Sequence, residues 1–183
     1  MKAILMSIRP RHDKNILNGI KTLEIRKRFP IDYVGWVYIY CTKDKDIARI
    51  ISPYETEDKY VIENEITEKN FKYMDSGYSA KGKVVARFWC DKVSPTYEYY
   101  EEEICDLACI TKQEYLDYLG YDDGYAIHIT KLEIFDKPKE ISEFKIDITN
   151  KVKWAKDQTK LICKYRRLKT LTRAPQSWCY VEV

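Results

Sequence analysis

The chain has 183 residues, 45% hydrophobic and 33% charged, a globular composition that excludes a disordered chain and can bury a core. Its apolar runs are strand-length, short of the roughly 20 residues a membrane-spanning helix needs. The net charge of +3 conceals two basic segments around an acidic middle.

Residues 9–28 hold seven Lys/Arg against Asp13 and Glu24, and residues 151–173 hold nine against Asp157. Residues 29–150 hold fifteen basic against twenty-five acidic side chains. Such segregation fits a polyanion-facing surface built from both ends of the chain, or two solvated faces. The apolar run after Lys2 is too short for a secretory signal, so a cytoplasmic protein with no membrane partner is expected. The six cysteines form no Cys-x-x-Cys pair and have two histidines beside them. Reduced, buried thiols are expected, with no metal and no cofactor.

In chain order, residues 3–8 form an apolar run suited to a strand covered on both faces. Arg9-Pro10 ends it, and residues 11–18 read as a short helix closed by Gly19. Residues 22–29 predict a strand with Leu23 and Ile25 inward. Thr22, Glu24 and Arg26 then project together on the other face, with Lys21 at the strand mouth. Residues 36–41 predict a further strand. Residues 44–81 are charged and weakly patterned, an insertion with some helix, where Ile47, Ile50 and Ile51 have helical spacing.

Residues 83–93 predict a strand with Val84, Ala86 and Phe88 on one face and Val85, Arg87 and Trp89 on the other. Tyr97, Tyr99 and Tyr100 lie in an acidic stretch running to Asp106, assigned to packing or a protein contact. Thr111-Lys-Gln-Glu114 is a capping box opening a helix to about residue 119, closed by Gly120. Tyr125–Phe135 predicts one long strand, with His128 a hydrogen-bonded structural residue. In 151–173 the spacing of Leu161, Tyr165 and Leu168 suits an amphipathic helix with a basic outer face. The last strand, Trp178–Val183, places Trp178 and Tyr180 opposite Cys179, Val181 and Val183. Together these elements predict an α+β fold, a small mixed β-barrel with short flanking helices, as one domain over 1–183.

Phosphate-loop, nucleophile-elbow and metalloprotease signatures are all missing from the sequence. The most informative segment is Gly19-Ile-Lys-Thr-Leu-Glu-Ile-Arg-Lys-Arg28. Side chains two apart on a strand lie about 7 Å from one another. One carboxylate between cations can therefore stay ionised while presenting positive charge to a phosphate or base edge. The competing reading is a solvated Glu24–Arg26 pair on an exposed sheet face.

Gly19-x-Lys21-Thr22-x-Glu24-x-Arg26, preceded by Ser7-Ile-Arg-Pro10 and a short helix, resembles the opening motif of the ASCH domain, a relative of the PUA, YTH and EVE modules. Gly82-Lys-Val-Val-Ala-Arg-Phe88 and Gly124-Tyr-Ala-Ile-His-Ile129 are similar to the family's middle and late strands. The ending Arg173-Ala-Pro-Gln-Ser-Trp-Cys-Tyr180 is similar to family members described as predicted transcriptional regulators. The resemblance implies a PUA-like barrel whose cleft, lined by the Lys21–Arg26 strand, binds RNA or another nucleic acid. One branch of the family deacetylates a modified cytidine with a lysine, a threonine nucleophile and a glutamate. Lys21 matches that lysine, whereas Glu24 stands where the branch has its threonine, a carboxylate in place of a hydroxyl nucleophile.

The expected function is therefore nucleic-acid binding, of RNA or a single strand, through Arg9, Lys21, Thr22, Glu24, Arg26 and Lys27. Gln176 and Ser177 would read a base edge, and Trp178 and Tyr180 would offer stacking faces. The alternative is a hydrolase acting on RNA or a modified nucleoside with Lys21, Glu24 and Arg26 as catalytic residues. A third reading is an adaptor that meets a protein through the acidic 97–106 region.

Overall fold

The computed structural model describes residues 2–43, 82–120, 122–148 and 167–183. The expected insertion at 44–81 and most of the basic segment 151–173 lie outside these residues. Leu168 is described, and it sits in a strand rather than a helix.

The fold is mixed α+β. One sheet contains β1 (Lys2–Ile8), β3 (Gly35–Cys41), β4 (Val84–Cys90), β7 (Thr130–Lys139), β8 (Lys145–Asp147), β9 (Leu168–Thr170) and β10 (Trp178–Glu182). Its seven strands run in the order β7-β4-β3-β1-β10-β8-β9. A second sheet is built from β2 (Leu23–Arg26), β5 (Val93–Pro95) and β6 (Tyr125–His128), in the order β2-β6-β5. Among the described residues three α-helices accompany them: α1 (Pro10–Leu17), α2 (Glu101–Ala108) and α3 (Lys112–Leu119). Among the described strands the sheets do not close into the barrel that the sequence predicts; the large sheet ends at β7 and β9.

β1 is central, parallel to β3 and antiparallel to β10. Its nearly unbroken apolar run is explained by cover on both faces. Ile4, Met6 and Ile8 enter one buried cluster with Ile16, Leu17 and Phe88, while Ala3 and Leu5 enter another with Val181 and Phe144. A register shift where Tyr40 pairs with Val84 and Ile39 with Ala86 leaves Val85 as the extra residue. The strict alternation expected for 83–93 fails there: Val85 joins Ala86 and Phe88, and Val84 goes to the opposite cluster.

One further expectation is corrected. Tyr125–Phe135 is two strands in two sheets, because the chain crosses over at Ile129. Its amide donates to the Thr22 carbonyl, Thr130 Oγ1 donates to the Trp89 carbonyl at 2.7 Å, and Lys131 adopts φ 45°. The acidic stretch holds α2, whose first turn carries Glu101, Glu102 and Glu103, charges that favour a helix N-terminus. Tyr97 and Tyr100 are exposed, whereas Tyr99 packs inward and shares a 2.8 Å hydrogen bond with His128 Nε2. The capping box holds: Thr111 and Glu114 satisfy each other's backbone amides at the start of α3. Of the described cysteines, Cys41, Cys90 and Cys105 are buried. No helix among the described residues is long and apolar enough to cross a membrane.

Candidate functional site

Both faces of the short strand β2 are occupied. Leu23 and Ile25 pack with Ile104, Ala108 and Leu119 of α2 and α3. Glu24 and Arg26 turn the other way, under α1 and the chain that leads into β10. The Arg26 guanidinium reaches across to donate to the Ser7 carbonyl at 2.8 Å and toward Ser177 Oγ at 3.4 Å.

The consequence is a buried charge cluster rather than a solvated pair on an exposed face. The Glu24 carboxylate lies 3.3 Å from Lys21 Nζ and 2.9 Å from Arg26 Nη2. Their side chains are 9%, 2% and 12% exposed in that order. Lys21 also donates to the Ala108 carbonyl at 2.6 Å, which ties the cluster to the end of α2. Burial alone would raise the Glu24 carboxyl, but Lys21 and Arg26 outweigh it and hold the group below its ordinary value.

Above this cluster opens a cleft of about 1100 Å³, ample for a nucleotide or several residues of a strand. Glu24, Lys21 and Arg26 form its floor, with Ser7 beside them. Arg9, Arg11 and His12 contribute one wall from the start of α1, and Lys27 and Arg28 follow β2 to a second. Gln176, Ser177 and Trp178 form a third. Glu114, Asp117 and Tyr118 of α3 complete the rim.

The third wall is latched in place. Ser7 Oγ donates to the Pro175 carbonyl at 2.7 Å, the Ser7 amide donates to the Ser177 carbonyl at 2.9 Å, and Trp178 Nε1 donates to the Arg28 carbonyl at 2.7 Å. Trp178 also packs edge-on against Phe29 and Tyr180, so its ring lines the cleft while half held by the core. On the α1 wall Arg11 pairs with Glu114 at 2.6 Å. Burial lowers His12 below its ordinary 6.5; Glu24 opposes that shift, and Lys21 and Arg11 add to it.

The structure thus gathers Arg9, Lys21, Glu24, Arg26, Lys27, Gln176, Ser177 and Trp178 around one cleft. It leaves two predicted residues outside. Thr22 is exposed and precedes β2, with its backbone spent on Leu107 and Ile129. Tyr180 faces Tyr33 and takes the Lys2 ammonium over its ring at 3.8 Å. Sequence reasoning missed His12, Arg11, Arg28 and the α3 residues. Arg11 and Arg28 were visible within the basic run. Glu114, 103 residues from Arg11, carried a signal only for capping its own helix.

No family model and no curated protein matches the sequence. Its fold is similar to solved structures from Zymomonas mobilis. A structure of ASCH from that organism matches with a TM-score of 0.53 at 16% identity, over 98% of this chain and 87% of that one. A serine-to-alanine mutant of the same protein matches with a TM-score of 0.55 at 16% identity, over 98% and 88%. At that identity the likeness is one of backbone architecture: this chain has an ASCH-like fold.

Proposed function

We propose that the cleft binds nucleic acid, RNA or another single strand, with the Lys21–Glu24–Arg26 cluster as its floor and Arg9, Lys27 and Arg28 holding the phosphates. The supporting observation is the charge balance of the cleft. Six Lys/Arg side chains line it against Glu24, Glu114 and Asp117. Two of these acids are already neutralised, Glu24 by Lys21 and Arg26 and Glu114 by Arg11. The surplus is positive and lies in a concave site with one tryptophan face, a combination that suits a flexible polyanion with bases to stack. The ASCH-like fold and the resemblance of the Gly19–Arg26 motif point the same way. The reading treats 1–183 as one domain and leaves the protein-adaptor role of 97–106 aside.

A hydrolytic role for the same three residues draws less support. Glu24 is stabilised as a carboxylate by two cations, which suits a hydrogen-bond acceptor better than a proton donor near neutral pH.

The test is fluorescence anisotropy of labelled single-stranded RNA, single-stranded DNA and duplex DNA across a salt series, with oligonucleotide integrity read on the same samples. Three rim cations on a single strand give a slope of log affinity against log salt of roughly −2. The absence of binding at low salt would overturn the proposal, and cleavage would restore the hydrolase.

A further inference from the structure

Helix α1 carries one wall of the cleft: Arg9 at its N-cap, then Arg11 and His12. The next residue turns the opposite way. Asp13 is 0% exposed, seated behind that wall in the core. Neither of its carboxyl oxygens makes a hydrogen bond of ordinary geometry among the described residues. Beside it lies the Cys41 thiol of β3, a weak donor.

Among the described residues, the charged groups around it offer no counter-ion. Glu24 of β2 acts on Asp13 with the same sign, and its own cations, Lys21 and Arg26, are committed to it. On the helix itself Arg11 is engaged by Glu114 of α3. The His12 ring approaches Arg11 through Nε2 and has a buried, unpartnered Nδ1 among the described residues. Buried polar groups are partnered in the great majority of cases, so an orphaned acid behind a cleft wall calls for a reason. A neutral carboxylic acid fits this place at modest cost. A carboxylate would be an isolated buried charge facing another, which the fold relieves by letting water reach it.

We propose that Asp13 is a proton-controlled latch for α1: protonated, it lets the helix seat on β3 with Arg9, Arg11 and His12 in the cleft wall, and ionised, it unseats the helix and loosens that wall. Burial pushes the Asp13 carboxyl up to about 7, with the Cys41 thiol opposing and Glu24 reinforcing the shift, so the latch works close to neutral pH. His12 titrates below its ordinary 6.5 and does not account for a change on the alkaline side. The latch stands on the protein alone; its effect on a bound strand rests on the reading of the cleft given above.

Amide hydrogen exchange across α1, without ligand and corrected for the intrinsic pH dependence of exchange, tests it near pH 6 and near pH 8. In the unmodified protein, protection of α1 should fall about tenfold between the two, the change expected of one acid with this shift. In Asp13→Asn, which mimics the neutral acid, it should not change. Equal behaviour of the two proteins overturns the latch. Carboxyl-carbon NMR of the unmodified protein provides a second check that needs no variant. One aspartate titrating near 7 supports the latch, and all aspartates titrating at ordinary values overturn it. Affinity for a labelled single-stranded RNA, measured on both proteins at both pH values, should fall with pH in the unmodified protein alone. Failure to bind RNA at either pH overturns the nucleic-acid reading, while the exchange experiment still decides the latch.

Discussion

Replacing Glu24 by glutamine asks how much of the fold rests on the cleft floor. The variant keeps the shape and one hydrogen-bonding oxygen but removes the charge that balances Lys21 and Arg26, 3.3 and 2.9 Å away. Those cations have little access to water, with side chains 2% and 12% exposed. Breaking a buried pair by deleting one partner costs about 3–5 kcal/mol, because the remaining charge is left uncompensated. For a protein of typical stability that is a large fraction of the total.

Urea unfolding followed by tryptophan fluorescence at neutral pH would read this loss directly. Adding Lys21→Met to Glu24→Gln removes one stranded cation and should recover a substantial part of it. The pH dependence has a definite sign. The folded-state carboxyl lies below its ordinary 4.5, so the Glu24 contribution is complete above 4.5 and fades as pH falls through the lower folded value. The gap between the two proteins should therefore narrow in acid. A loss below about 1 kcal/mol at neutral pH would mean that the cluster is hydrated and behaves as a surface ion pair, refuting the account of the floor.

Asp13→Asn should show the opposite trend in the same unfolding assay. The Asp13 carboxyl moves from 3.8 to about 7 on folding, so it costs stability increasingly as pH rises from 3.8 and levels off above 7. The variant should gain on the unmodified protein by about 4 kcal/mol between pH 4 and 8; a constant gap would contradict the burial of the acid. Arg28→Ala and Lys27→Ala should each weaken single-strand binding and make the salt slope shallower by roughly 0.7, read by anisotropy. Thr22→Ala should leave that binding unchanged, because the side chain lies outside the cleft. Thr111→Ala removes one half of the capping box and should cost about 1 kcal/mol of stability by urea unfolding, without altering the Glu24 cluster.

Much of this molecule is legible where one segment decides its own environment. The nearly unbroken apolar run Ala3–Ile8 announces a strand covered twice, and Thr111-x-x-Glu114 announces a helix start, since both signals are local. The alternation in β2 correctly separates Leu23 and Ile25 from Glu24 and Arg26. It does not show what covers the second pair, because the cover comes from α1 and from Pro175–Trp178, distant in the chain. The same limit hides Tyr180: its face follows from alternation, but its partners Lys2 and Tyr33 turn it from the cleft. The break in Tyr125–Phe135 has no sequence signal, since no glycine or proline stands at Ile129 and the unusual φ falls on Lys131. Helix α2 is readable in principle, because three glutamates in a row suit a helix N-terminus as well as they suit a charged surface.

The pairing of β1 with β10 joins Lys2 to Glu182 and Met6 to Trp178. Synthesis delivers β1 first and β10 after every other described strand. Until then one edge of β1, whose side chains from Ala3 to Met6 are all apolar, has no partner to hydrogen-bond. Such an edge is a template for pairing with other chains. Closing it late is also slow, because contacts between remote parts of a chain are costly to bring together. The wall carrying Gln176, Ser177 and Trp178 arrives with β10, so the cleft is completed in the same step that seals the sheet. A nascent or truncated chain lacking that strand would be poor at holding a ligand and prone to aggregate for the same reason.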